Sequence, residues 1–206
     1  MRRLCRAAIL AAILALGAGP FAMAQDAAPS KSEAASDKDK IDLPPFPADA
    51  SVKQTTHIAG KTLGYTATVG ALPVRDDKGK KIAEVVFTAY ILDGPKDITR
   101  PITFAFNGGP GAASVYLNLG AIGPKRVQFG AQGDSPSDPA TLTDNPGSWL
   151  DFTDLVFIDP VGTGYSRSLL SKDETKKQFF QSKEDIAYLS RIVFDWLVKN
   201  GRVATA

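Results

Sequence analysis

The stretch Ile102-Thr103-Phe104-Ala105-Phe106-Asn107-Gly108-Gly109-Pro110-Gly111 runs an apolar segment with strand character, residues 102–106, straight into a turn with three glycines in four residues. A bounded apolar run of this length suits a strand covered on both faces. The glycines let the backbone come close to whatever lies above the strand end, so the turn can aim amide N–H groups at an oxyanion. Pro110 has no N–H, which leaves Gly109 as the last donor before the break. The same spacing also fits a tight strand-to-helix turn that holds no ligand.

A second apolar run, residues 154–159 (DLVFID), leaves through another glycine-rich turn, Pro160-Val161-Gly162-Thr163-Gly164-Tyr165-Ser166. It has neither a Gly-Lys-Ser/Thr ending nor Gly-x-Gly-x-x-Gly spacing, so it does not indicate a nucleotide site. Residues 182–200 predict a helix: Ser182 can cap it, Glu184 and Asp185 fall in the first turn, and Asn200-Gly201 can end it. Ile186, Leu189, Val193, Trp196 and Leu197 share one stripe. Upstream, the β-prone runs 62–69 and 83–92 flank the turn-forming Asp76-Asp77-Lys78-Gly79-Lys80 and predict a hairpin. Strands followed by an amphipathic helix define an α/β architecture.

The N-terminus has a different character. Arg2, Arg3 and Arg6 precede an unbroken apolar run at 7–16, which Gly17-Ala18-Gly19-Pro20 breaks ahead of the small-residue pattern Ala22-Met23-Ala24. Spanning a bilayer takes about 20 apolar residues, so residues 1–24 are read as a secretory signal peptide cleaved after Ala24. Arg2-Arg3 also fits twin-arginine export. The product begins at Gln25, is periplasmic or extracellular, and keeps no stable membrane anchor. Cys5 leaves with the signal, so the mature chain is cysteine-free. Residues 25–40 (QDAAPSKSEAASDKDK) carry no aromatic side chain, and Pro44, Pro45 and Pro47 stiffen the stretch after them. Residues 25–50 are therefore read as a flexible linker, and 51–206 as the folded part.

With 24 basic against 22 acidic residues, the formal charge of +2 gives no electrostatic basis for a nucleic-acid partner. One His and one Cys cannot build a metal cluster, and no cofactor is expected.

Asn107-Gly108-Gly109-Pro110-Gly111, Gly123-Pro124, Asn145-Pro146-Gly147-Ser148-Trp149 and the passage from Phe157 through Asp159 to Ser166 resemble four ordered signatures of the serine carboxypeptidase family. The resemblance covers roughly residues 80–200, and the strand at 83–92 is similar to that of bacterial secreted members. It implies an α/β-hydrolase fold with a mixed, mostly parallel sheet flanked by helices, a Ser-Asp-His triad, and removal of residues from the C-terminus of a peptide substrate. By the same resemblance Gly109 supplies an oxyanion donor, and Asn107 and Gly108, with Gly109, contact the substrate and its terminal carboxylate. Two positions depart from characterised eukaryotic members. Their carboxylate-binding Trp and Glu fall here on Ala105 and Ala121, which leaves open an endopeptidase, aminopeptidase or esterase on the same fold. The family's usual Cys after Pro-Gly is Ala112.

A nucleophile elbow reads Gly-x-Ser-x-Gly, or Gly-Glu-Ser-Tyr in this family. Only Ser135 and Ser166 have glycine two positions before them, and neither has glycine two after. The single His, His57, precedes both, whereas the α/β-hydrolase order is Ser, Asp, His. None of the three catalytic residues is present, and all are expected beyond Ala206, so the chain reads as the N-terminal, incomplete part of such a hydrolase. Alone it is expected to be inactive, with residues 102–106 and 154–159 exposing an unpaired sheet edge. A non-catalytic secreted binding module is the reading from a different class. Trp149 and Phe152 are expected in the core, Asp159 to cap the turn after it, and residues 172–177 to form a solvated loop.

Overall fold

The structure is a computed structural model that describes residues 43–95, 99–108, 111–130 and 139–203. The chain separates into two units, Met1–Ala35 and Ser36–Ala206, and every described residue lies in the second. The signal peptide, most of the linker, Gly109, Pro110 and Ser135 fall outside the described residues.

Three long strands, β1 (Ala50–Ile58), β2 (Lys61–Arg75) and β3 (Lys81–Leu92), form an antiparallel meander. The β1–β2 connection has two residues, Ala59 at φ 49° and Gly60 at φ 76°, the paired positive φ that a two-residue hairpin needs to follow the strand twist. At the β2–β3 turn, Asp76 Oδ1 accepts from the Lys78 and Lys80 amides, at 3.0 and 2.8 Å, which sets the expected hairpin. Pro73 is tolerated inside β2 because β1 pairs only as far as Ala50↔Val69, leaving its outer side without a neighbouring strand among the described residues.

The fold begins before residue 50. Among residues read as linker, Pro44 O accepts from Arg167, whose guanidinium lies 4.0 Å from the Phe46 ring centroid. Asp49 pairs with Lys199 at 2.6 Å.

Next come β4 (Ile102–Ala105), a short α1 (Val115–Leu117) continued by a π-helical turn (Asn118–Ile122), the hairpin β5 (Lys125–Phe129) and β6 (Ala140–Asp144), and a 3₁₀ turn (Trp149–Asp151). They lead into β7 (Asp154–Ile158), the two-residue β8 (Arg167–Ser168), α2 (Lys172–Phe179) and α3 (Ser182–Lys199). The main sheet runs β1-β2-β3-β7-β4, with β8 against β3. It is mixed as expected but not mostly parallel: among the described strands only β4 and β7 pair in parallel. Tight turns can join only antiparallel neighbours, whereas β4 and β7 are connected by the long crossover that parallel strands require. The expected shared edge is also corrected, since β7 lies between β3 and β4, and of the two only β4 stands at an edge among the described strands.

β7 is buried throughout and alternates between two cores. Val156 and Ile158 join Val85, Phe87 and Ala89 beneath Ile192 and Trp196 of α3, while Leu155 and Phe157 join Tyr65, Ala105 and Leu150 on the other face. That is the period-two signature of a strand covered on both sides.

Several local readings change. Residues 172–177 are helical, closed by a capping box in which Ser171 and Glu174 bond each other's backbone amides and anchored by buried Phe179. Gln181, not Ser182, is the N-cap of α3. Ile186 is 67% exposed, and Tyr188 and Ile192 take the inner face instead. Trp149 and Phe152 are 43% and 55% exposed rather than in the core, because the 3₁₀ turn between them sends Leu150 inward. Their rings lie 5.8 Å apart at the surface.

Candidate active site

The parallel pairing Ala105↔Phe157 brings the C-terminal ends of β4 and β7 side by side, so both glycine-rich turns leave the same end of the sheet. That end is where open α/β sheets place ligands. A cavity of about 490 Å³ opens there, with Asn107 and Gly108 on one side, Val161 and Gly162 on another, and Phe180 and Asp185 from the start of the helical layer. A second cavity, about 460 Å³, lies by Arg100, Asp154 and Arg202 at the N-terminal ends of the same strands. The first is therefore the candidate site. The second belongs to the structural network that anchors the sheet.

The glycines have separate reasons. Gly111 has φ 106° and Gly162 φ 85°, left-handed conformations that disfavour other residues. A Cβ at Gly162 would also stand 3.1 Å from the Phe180 ring. Gly108 has open space and no positive φ, and it forms free wall of the cavity. The position of Val161 is set from beneath: its amide donates to Tyr188 Oη at 3.1 Å. Burial pushes the Tyr188 hydroxyl above its ordinary range, with Asp185 adding to the rise, so it stays protonated.

The other motifs serve as staples. Buried Asn145 donates from Nδ2 to Ala121 O and Gly123 O, at 2.7 and 2.8 Å, and Ser148 Oγ donates to Ile122 O at 3.0 Å. Gly123 is glycine for steric reasons, since a Cβ would collide with the Asn118 carbonyl. Of the two positions that depart from the family pattern, Ala105 is buried at the end of β4, and Ala121 offers its backbone carbonyl to Asn145.

Ser166 is buried and committed: its hydroxyl donates to Asp159 O at 2.6 Å and accepts from the Val86 amide at 2.7 Å. His57 is exposed on β1 and contacts Asp144 Oδ2 through Nδ1 at 2.5 Å, while Lys125 bonds Oδ1 of the same carboxylate. Neither His57 nor Asp144 borders the cavity, and among the described residues no serine or threonine hydroxyl bonds the ring. The pair ties β1 to β6.

It carries a pH signature. The Lys125 hydrogen bond, and then that of His57, hold the Asp144 carboxyl at about 2. A carboxyl depressed by folding stabilises the fold above its unfolded pKa and loses that contribution as pH falls through the folded value. Asp144→Asn is therefore expected to be less stable than the parent above about pH 4, with the two converging as pH falls toward 2. Thermal melts at stepped pH check this, and a gap that stays constant across the window contradicts it.

Among the described residues no group of three or more His, Cys, Asp or Glu is placed to hold a metal ion, and no helix is long and apolar enough to cross a membrane.

Two glycine turns at the carboxyl ends of adjacent parallel strands, over a mixed sheet with a helix on its face, match a partial α/β-hydrolase fold. A family model described as serine carboxypeptidase matches residues 73–202, and the chain belongs to that family. It is 32% identical over 134 residues to pheromone-processing carboxypeptidase KEX1 of Saccharomyces cerevisiae, covering 62% of this chain and 17% of that one. To serine carboxypeptidase-like 36 of Arabidopsis thaliana it is 32% identical over 134 residues, covering 64% of this chain and 23% of that one. Against kex1 of Sclerotinia sclerotiorum identity reaches 48% over 61 residues, 29% of this chain and 9% of the relative. The chain thus spans less than a quarter of the length of these relatives.

Proposed function

We propose that this chain is the N-terminal part of an exported serine-type carboxypeptidase, and that it supplies the substrate-facing turn of the active site. The observation that carries the reading is the shared end of β4 and β7, where Asn107 and Gly108 face one cavity with the 160–163 turn. In this reading Asn107 and Gly108 receive the peptide's terminal carboxylate, and the Gly109 amide stabilises the oxyanion. The serine, aspartate and histidine of the triad come from sequence that follows Ala206. The serine oxygen bonds to the scissile carbonyl carbon as its proton passes to the histidine, which returns it to the departing amine, and water then releases the acyl group. The reaction needs no cofactor. The 206 residues by themselves hydrolyse nothing, because an oxyanion donor acts only once a nucleophile attacks.

Ala105 and Ala121 favour a second reading. Without side-chain donors at those positions, the same turn can serve an endopeptidase, aminopeptidase or esterase.

One experiment separates them. The protein produced from its gene is purified from the exported fraction, its N-terminus is read by mass spectrometry, and it is given matched peptides with free and amidated C-termini, with and without a serine-directed phosphonate. The expected results are a start at Gln25 and phosphonate-sensitive shortening of the free-acid peptide only. Equal cleavage of both peptides moves the reading to the second hydrolase class. Absence of any phosphonate-sensitive hydrolysis leaves the binding module.

A further inference from the structure

The two turns at the cavity are locked together by side chains that give up their ordinary local roles. Ser114 is the N-cap of α1, where a serine usually turns its hydroxyl onto its own helix, yet it makes no such bond. Instead its Oγ donates to the carbonyl of Ile158, the last residue of β7, and accepts from the Asn107 amide at 3.4 Å. An aspartate leaving a strand commonly accepts from its own following turn. Asp159 Oδ1 instead accepts from the Ser114 amide across the crossover, at 2.8 Å. Gly164 lies against the same carboxylate: a Cβ there would overlap Asp159 Oδ2, so the 160–166 turn closes over Asp159 only because residue 164 has no side chain.

We propose that Asp159 and Ser114 are positioning residues that set Asn107 against the 160–163 turn, giving the cavity the geometry that recognises a peptide's terminal carboxylate. Asn107 is bonded to Ser114 through its amide, and Ser114 in turn is fixed by two bonds, one to Ile158 at the end of β7 and one to the side chain of Asp159 just after it. Ser114 is buried, and the most buried strand of the sheet thereby acts as the reference point for Asn107. The proposal rests on the carboxypeptidase reading only for the identity of the ligand, since the strut itself is a matter of geometry.

The test uses the protein produced from its gene, with two readouts: amide hydrogen exchange, and affinity for one peptide as free acid and as C-terminal amide. Asp159→Ala is expected to speed exchange at the Asn107 and Ser114 amides by about tenfold or more, the effect of losing a charge-assisted hydrogen bond, while β1–β2 amides stay unchanged. Affinity for the free acid should fall by about tenfold with that for the amide unmoved, and Asp159→Asn, which keeps an acceptor oxygen, should restore most of both.

Gly164→Ala reaches the same contact from the other side. It should reproduce the loss, and adding it to Asp159→Ala should raise exchange at Asn107 and Ser114 little further, the strain of alanine at φ 51° aside, because the residues act as one unit. Should Asp159→Ala fail to fold, Gly164→Ala and Ser114→Ala carry the same two readouts. Unchanged exchange at Asn107 and Ser114, or free-acid affinity equal to the parent's with the contact removed, overturns the strut. A parent protein that binds acid and amide equally overturns the carboxylate reading instead, and the strut is then decided by exchange alone.

Discussion

Asp154→Ala is expected to cost about 3–5 kcal/mol, the magnitude for breaking a buried ion pair by removing one partner. Asp154 opens β7 and is 1% exposed. Its Oδ1 accepts from Arg100 Nε at 3.0 Å and from the Leu92 amide at 3.1 Å, and its Oδ2 accepts from Arg202 Nη1 at 2.9 Å. The guanidiniums are bound to other elements in turn: Arg202 Nη2 donates to Arg100 O at 2.6 Å, and Arg100 Nη2 donates to Leu150 O. One carboxylate thus joins the end of β3, the approach to β4, the start of β7 and the end of α3. Truncation leaves two largely buried cations without their shared counter-charge, a larger loss than any single neutral hydrogen bond there. Asp154→Asn, which keeps an acceptor but not the charge, should fall between parent and Ala. Urea denaturation followed by far-UV circular dichroism measures both. A loss under about 1 kcal/mol for Ala, the size of an exposed pair, contradicts the assignment.

The second large effect is at Trp196, where replacement by Ala should cost about 3–5 kcal/mol. Trp196 is fully buried on α3, with the rings of Phe104 and Phe87 at 5.5 and 6.4 Å, both edge-on. Among the described residues its Nε1 has no hydrogen-bond partner. Its value to the fold is therefore its volume and its ring faces, not its polarity. Trp196→Phe should accordingly cost only about 1–2 kcal/mol. The same denaturation series compares the two variants, and a Phe variant as damaged as Ala would show that the indole N–H matters after all.

How far the sequence reached differs between elements. The strand at β4 and the strand at β7 were legible because an apolar run bounded by glycine turns admits few other structures at that length. The β2–β3 hairpin was legible from Asp76 and Gly79. The stop of α3 was legible too: Gly201 at φ 65° lets the Arg202 amide return to Leu197 O at 2.9 Å. β1 was missed because its only burial comes late, at Thr56 and Ile58, so its alternation is weak. Helix α2 was missed because residues 172–177 are all polar, although Ser171 and Glu174 at capping-box spacing were a usable signal.

For the candidate site, local sequence determined which residues stand at the strand ends, since glycine content and the apolar runs before it are local properties of the chain. Only the tertiary structure decided that the two turns face one cavity, because that depends on the parallel register of β4 and β7, separated by a crossover of nearly fifty residues. It alone decided that Asp159 serves Ser114 rather than its own turn, and that Trp149 faces solvent. Those outcomes depend on which side chain arrives opposite which, and long-range packing sets that where propensity and spacing leave it open.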